Sequence, residues 1–287
     1  MNDLVIGTSN FNQNYGLSNK KLKEKEIQKI LSLAKKNNIN YIDTALDYNL
    51  TVNFTKKISF KKFKIITKFK LPKNDRKNFV NNLELMFFKE IKKFGIKKFH
   101  AILLHRSSDL NTIYGKQIIK ALLSLKKKKL IKYIGVSIYD FKEFKKIPSS
   151  FRIDLVQIPV NIFDQRFLNK KILNYFLKKE IKLQARSIFL QGGILRKNKK
   201  IKKLSIFQDK FAKHCKKNLT DPLTGSLSFV KNVNHLRYIN IGIDNIKQLR
   251  MIIKSWNNAK YLNCNETSNF FWKHKSLKMC LPLRELV

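Results

Sequence analysis

Eight times along this chain a short apolar run gives way to a stretch of helical period, and few architectures accommodate that alternation. The apolar runs read as strands buried on both faces, and the helical stretches as the crossovers that parallel strands need. The runs are LVIG at 4–7, NYID at 40–43, KIIT at 64–67, HAILL at 100–104, YIGVS at 133–137, LVQI at 155–158, KLQARS at 182–187 and YINIG at 238–242. Helices are predicted over 21–38, where Leu22, Ile27, Ile30, Leu31 and Ala34 make a buried stripe, and through Phe79, Leu83, Met86 and Phe87. Others are predicted near 114–128, 140–147, 168–180, 202–217, 222–232 and 245–255. An open doubly wound sheet usually has fewer strands and a glycine-rich phosphate turn after the first, and no GxGxxG stands there. The expected fold is therefore α/β, a (β/α)8 TIM barrel in one domain over 1–287, with 256–287 as a C-terminal extension packing on or near it.

A net charge of +42 raises the question of a nucleic-acid or anionic-membrane partner. The cations are mostly lysine, spread through KKLKEKE, KKFK, LKKKKLIK and RKNKKIKK, where amphipathic helices turn a wet face outward. A dedicated phosphate reader tends to use the arginine fork instead. Solvated surface is thus favoured over a nucleic-acid footprint. Cys215, Cys264 and Cys280 form no CxxC pair and leave an odd cysteine, which favours a reducing compartment. No leader pattern and no apolar run of spanning length is found, so a cytoplasmic protein with no membrane partner is expected.

In a barrel of this type the active site lies at the C-terminal strand ends and the loops that follow. Those ends carry Asp43 after the second strand with Tyr48 in the next loop, Lys68 after the third and His105 after the fourth. A carboxylate, a phenol, an ammonium and an imidazole on one rim suit proton donation to a carbonyl oxygen that is gaining negative charge. In this reading Lys68 lowers the Tyr48 pKa, Asp43 keeps the lysine charged and oriented, and His105 hydrogen-bonds the carbonyl. No nucleophile and no metal-ligand spacing accompanies them, which suggests hydride delivery from a bound cofactor. His100 begins its strand at the opposite end and is expected to be structural or solvated.

Across nearly its whole length the chain resembles the aldo-keto reductases. The resemblance rests on GTSNF at 7–11, NYIDTALDY at 40–48, TK at 67–68, LLHR at 103–106, GVS at 135–137, VQIPVN at 156–161 and ARSIFLQGG at 185–193. It implies a (β/α)8 barrel, NAD(P)H-dependent reduction of an aldehyde or ketone, and Asp43, Tyr48, Lys68 and His105 as the catalytic tetrad. It also implies cofactor contacts from Gly7, Thr8 and Asp43, and from Ser137 and Gln157 to the nicotinamide carboxamide. Arg186 and Ser187 fall where many members have a stacking aromatic and a serine, so a guanidinium plane would do the stacking. Gly242, Asp244, Asn245 and Gln248 match the segment that grips the adenosine phosphates. Ile138 replaces a frequent asparagine, and the segment from Tyr48 to Lys68 is short, implying a truncated second helix. Asp244, where NADP-preferring members often have a base, tilts the reading toward NADH, with NADPH left open. The substrate is a small carbonyl compound, with a sugar-type carbonyl suggested by similarity to bacterial members of surface-polysaccharide pathways. Two other readings stand beside the enzyme: a cofactor-binding subunit with little turnover, and a polyanion-binding protein on a barrel scaffold.

Overall fold

The computed structural model describes residues 2–16, 18–19, 21–48, 50–196 and 202–260. Eight parallel strands close into a barrel in chain order: β1 (Asp3–Gly7), β2 (Tyr41–Asp43), β3 (Lys64–Phe69), β4 (Phe99–Leu104), β5 (Ile131–Ser137), β6 (Leu155–Pro159), β7 (Lys182–Arg186) and β8 (Leu236–Ile241). The ring is sealed where β8 pairs with β1, Leu4 opposite Ile239 and Ile6 opposite Ile241. The helices are α1 (Glu24–Lys36), α2 (Val52–Lys57), α3 (Arg76–Asn81), α4 (Leu83–Phe94), α5 (Gly115–Lys127), α6 (Phe141–Lys145), α7 (Lys170–Lys178), α8 (Lys202–Lys217), α9 (Pro222–Lys231) and α10 (Ile246–Asn258).

The elements follow from local chemistry. Ile27, Ile30, Leu31 and Ala34 of α1 are buried at the spacing that makes one helical face, while Lys25 and Lys29 face water. Asp221 accepts hydrogen bonds from Leu223 N and Thr224 N at 2.9 and 3.1 Å and Pro222 opens the first turn, which together start α9. Gly135 lets β5 approach β6, since a Cβ there would lie 2.0 Å from the Leu155 carbonyl oxygen.

Several boundaries differ from the sequence reading. The helix expected through Phe79 to Phe87 is broken at Asn82, whose backbone (φ −98°, ψ 8°) leaves the helical region between α3 and α4. Lys68 lies inside β3 rather than at its end, opposite Leu103 of β4. Residues 256–258, assigned to the extension, belong to α10. The second helix is short, as expected, with six residues. Residues 261–287, Cys264 and Cys280 among them, lie outside the described residues.

What positions the site is the layering inside the barrel. Val5, Tyr41, Ile66, Ala101, Leu103, Leu155 and Tyr238 form an apolar cluster drawn from six strands, which can meet only within a closed barrel. His100 joins this floor, its Nε2 2.7 Å from the Tyr238 hydroxyl and its ring edge-on to Tyr41, in the structural of the two roles expected of it. Side chains two residues apart on a strand share a face. One step up from Tyr41, Ile66, Leu155 and Tyr238 are Asp43, Lys68, Gln157 and Asn240, so a polar layer rests directly on the apolar one.

Candidate active site

Asp43 is the centre of that polar layer. One carboxylate oxygen accepts from the Lys68 ammonium at 2.5 Å, and the other from the amides of Gln157 at 2.7 Å and Gln184 at 3.1 Å. Asp43 and Lys68 are 3% and 2% exposed, so neither charge is tolerable without the other. The Asp43 carbonyl accepts from Thr8 N at 3.0 Å, and Gly7 faces Asp43 in the β1–β2 register. Gly7 and Thr8 thus anchor the strand end, and a Cβ on Gly7 would press on the Asn240 side chain at 3.0 Å.

The chain leaves β2 through a single 3-10 turn, Leu46–Tyr48, held by Tyr48 N donating to Ala45 O at 3.1 Å. This turn carries the Tyr48 ring over the buried pair, with the Lys68 nitrogen 5.8 Å from the ring centre. His105 follows β4 and is held by its own N–H on Phe69 O at 2.6 Å. Asp47, the second acid of the same loop, spans the gap: it pairs with Lys70 at 2.8 Å and lies 3.8 Å from His105 Nδ1. The four residues expected to meet are therefore brought to one rim.

The electrostatics correct one expectation. Burial and the Asp43 carboxylate push the Tyr48 phenol well above its usual range; among the principal influences the cation that pulls it down is Arg186, not Lys68. The physical reason is that the lysine charge is compensated by Asp43, while burial itself draws the ammonium below its ordinary range. Tyr48 is accordingly held in its protonated form. His105 is drawn down to about 4 by burial and by the Lys68 charge, leaving a neutral imidazole over the working pH range.

That value carries a prediction. His100 is also held near 4 by burial and by Lys132. With unfolded values near 6.5, both imidazoles bind protons in the unfolded state first. Stability is then full above about 6.5 and is lost as pH falls toward 4. Denaturant melts over that window, with NMR titration of the two rings, check this; ring midpoints near 6.5 would contradict it.

The remaining expected residues divide into two groups. Ser137 and Gln157 face each other in register across β5 and β6, the hydroxyl donating to Gln157 Oε1 at 3.3 Å. Next to them the Arg186 guanidinium lies 4.1 Å over the Tyr139 ring and donates to Ile138 O at 3.3 Å and Ser187 Oγ at 3.4 Å. Among the described residues no carboxylate lies within ion-pair distance of it. Ser187 takes a left-handed backbone (φ 58°), and Asn161 steadies the bend by donating to its carbonyl at 3.1 Å. The second group is separate from the tetrad. Asn245 caps α10 by accepting from Gln248 N at 2.9 Å; Gln248 Oε1 accepts from Asp244 N at 2.8 Å; Asn10 donates to Asp244 at 3.3 Å. Gly242 leads into this turn with open space where a side chain would be.

These donors suit a nicotinamide dinucleotide. A carboxamide needs a donor and an acceptor side by side, which Ser137 and Gln157 supply, and an uncompensated guanidinium plane lies beside them. The Thr8 hydroxyl, fully buried, has no hydrogen-bond partner among the described residues.

The aldo/keto reductase family model matches residues 3–263. This chain belongs to the aldo/keto reductase family. Among solved structures, the glycerol dehydrogenase of Gluconobacter oxydans is similar over 95% of this chain and 92% of its own, at 16% identity and a TM-score of 0.72. A protein from Pseudomonas aeruginosa assigned to the aldo-keto reductases is similar over 89% and 90%, at 15% identity and a TM-score of 0.64. At such identities the likeness is one of fold. No curated protein matches the sequence. As a member of the family, this reductase has an oxidoreductase barrel whose relatives use nicotinamide cofactors. Among its described residues, no helix is long and apolar enough to cross a membrane.

Three neighbours of the reductase site escaped the sequence reading. Gln184 is a glutamine at 0% exposure in a parallel strand, an anomaly visible in KLQARS because such strands are near-continuously apolar. Asp47 stands in the quoted motif itself, and Tyr139 lies two residues past the GVS match, after Ile138.

Proposed function

We propose that this reductase converts an aldehyde or ketone to the alcohol, with Tyr48 as the proton donor. The observation that carries this reading is the buried Lys68–Asp43 pair beneath the Tyr48 ring, with neutral His105 on the same rim. Ser137, Gln157 and Arg186 would hold the nicotinamide, and the α10 turn the adenosine end. Bound there, a reduced nicotinamide supplies the hydride.

The chain's own groups do the rest. Tyr48 keeps its proton because burial and Asp43 disfavour the phenolate, and it releases it only toward an oxygen that is acquiring charge. Arg186 stabilises the phenolate left behind. Lys68, held at Asp43, sits beneath the ring as one half of a compensated pair that fixes the floor of the site. His105, neutral, can donate a hydrogen bond to the same oxygen without competing as an acid. Turnover of a generic aldehyde such as 4-nitrobenzaldehyde with NADH and NADPH, followed at 340 nm alongside cofactor-binding titrations, tests the reading. Tight binding with no turnover across a panel of aldehydes and sugars would favour the cofactor-binding subunit instead, a reading that the raised Tyr48 phenol and the buried Ile138 keep in view.

For the cofactor we favour NADH. Asp244 at the adenosine end is joined by Glu26, whose carboxylate accepts from Ile246 N at 2.6 Å and so fills the first turn of α10 with an anion already. Arg196 approaches Asp244 at 3.7 Å but is itself half exposed. Asp244→Arg is expected to shift the ratio of NADPH to NADH affinity upward on the order of tenfold. Fluorescence titration with both nucleotides measures it, and an unchanged ratio would remove Asp244 from cofactor choice. The site favours a small molecule as its partner, and the dispersed lysines argue against nucleic acid. Anisotropy with DNA or RNA across a salt series tests that point.

A further inference from the structure

Gln184 has no role in the reading above, yet it is fully buried and bonded to Asp43. It lies on β7 in register with Gln157 on β6, so the two amides arrive side by side at the same oxygen of Asp43, at 3.1 and 2.7 Å. Its own Oε1 is buried and meets no hydrogen-bond donor among the described residues. A fully buried glutamine with half its amide unmet is a costly choice for a barrel interior. Among the described residues its one hydrogen-bond partner is the carboxylate of Asp43.

The two glutamines differ in what else they touch. Gln157 is linked through its oxygen to Ser137 at the strand ends, where the carboxamide of a nicotinamide would be gripped. Its nitrogen gives one N–H to Asp43, and its second N–H and its oxygen are what a cofactor carboxamide would engage, so drawing the amide onto the cofactor pulls on the Asp43 bond. Gln184 has no such second duty.

We propose that Gln184 is a positioning residue that keeps the Asp43 carboxylate hydrogen-bonded when Gln157 turns to the cofactor carboxamide. This rests on the reductase reading and deepens it. With Gln184 present, Gln157 can be re-aimed from Asp43 without stranding a buried charged oxygen; without Gln184, the same re-aiming leaves that oxygen with no amide donor, and the Lys68–Asp43 geometry loosens with it. The function of the pair is therefore one of exchange, and its signature is coupling between the two glutamines in cofactor affinity.

The test is a double-mutant cycle on dinucleotide dissociation constants, read by quenching of protein fluorescence, with wild type, Gln184→Met, Gln157→Met and the double variant. Gln184→Met is expected to weaken cofactor binding about tenfold in the wild-type background and less than twofold in the Gln157→Met background. Gln184→Asn, which keeps an amide but shortens the arm, provides a second variant should the methionine disturb folding, with melting curves run on each protein. Equal losses in both backgrounds, or wild-type affinity in both Gln184 variants, would overturn the proposal while leaving the reductase reading intact. A wild-type chain that binds neither NADH nor NADPH would overturn both.

Discussion

Tyr48→Phe is expected to lower kcat for carbonyl reduction by roughly 10²–10⁴-fold, the range contributed by a positioned general acid. Cofactor affinity should stay within about twofold, because the phenol oxygen, not the ring, is what the reaction uses. The physical basis is the pocket in which the ring stands: protonated through burial and Asp43, over a compensated ammonium, with Arg186 as the cation that favours its ionised form. Stopped-flow or steady-state assays with a fixed aldehyde measure the effect. A Tyr48→Phe enzyme with an undiminished kcat would take the tyrosine out of the mechanism. Phenylalanine removes no packing volume beyond the hydroxyl, so an unchanged melting temperature serves as the control.

The second large effect concerns stability. Asp43→Leu is expected to destabilise the barrel by about 3–5 kcal/mol, since Lys68, 2% exposed, is left as an uncompensated cation in the interior. For a chain of this size that corresponds to a fall in Tm on the order of 10 °C. The double variant Asp43→Leu with Lys68→Met should recover most of the stability and none of the activity, because two apolar residues can pack where two charges had to be paired. Thermal melts of the three proteins decide it. Should the single variant melt with wild type, the pair is not what holds this layer together.

The alternation of apolar runs and helical periods was enough to place all eight strands, because a parallel strand buried on both faces leaves a continuous apolar signature. It misplaced edges where side-chain pattern is silent. Asn82 interrupts a helix whose apolar spacing carries on across it, and β3 runs on through Lys68 because the lysine is buried against Asp43 and so does not end the strand. The four residues that gather at the rim were legible as strand-end chemistry. The groups around them were not: Gln184 and Asp47 meet partners 141 and 58 positions away, at Asp43 and His105 respectively, and nothing local in the sequence announces a partner at that distance.

The sequence alone determined which side chains would gather at the C-terminal rim, since strand order and the period of two fix the face and the end from which each residue projects. Only the tertiary structure decided their charge states. Lys68 was expected to acidify Tyr48, but ring closure pairs the lysine with Asp43 and buries the phenol, and the phenol's acidity shifts the other way. A one-dimensional pattern specifies position along and around a strand; the local dielectric and the nearest opposite charge exist only once eight strands have met.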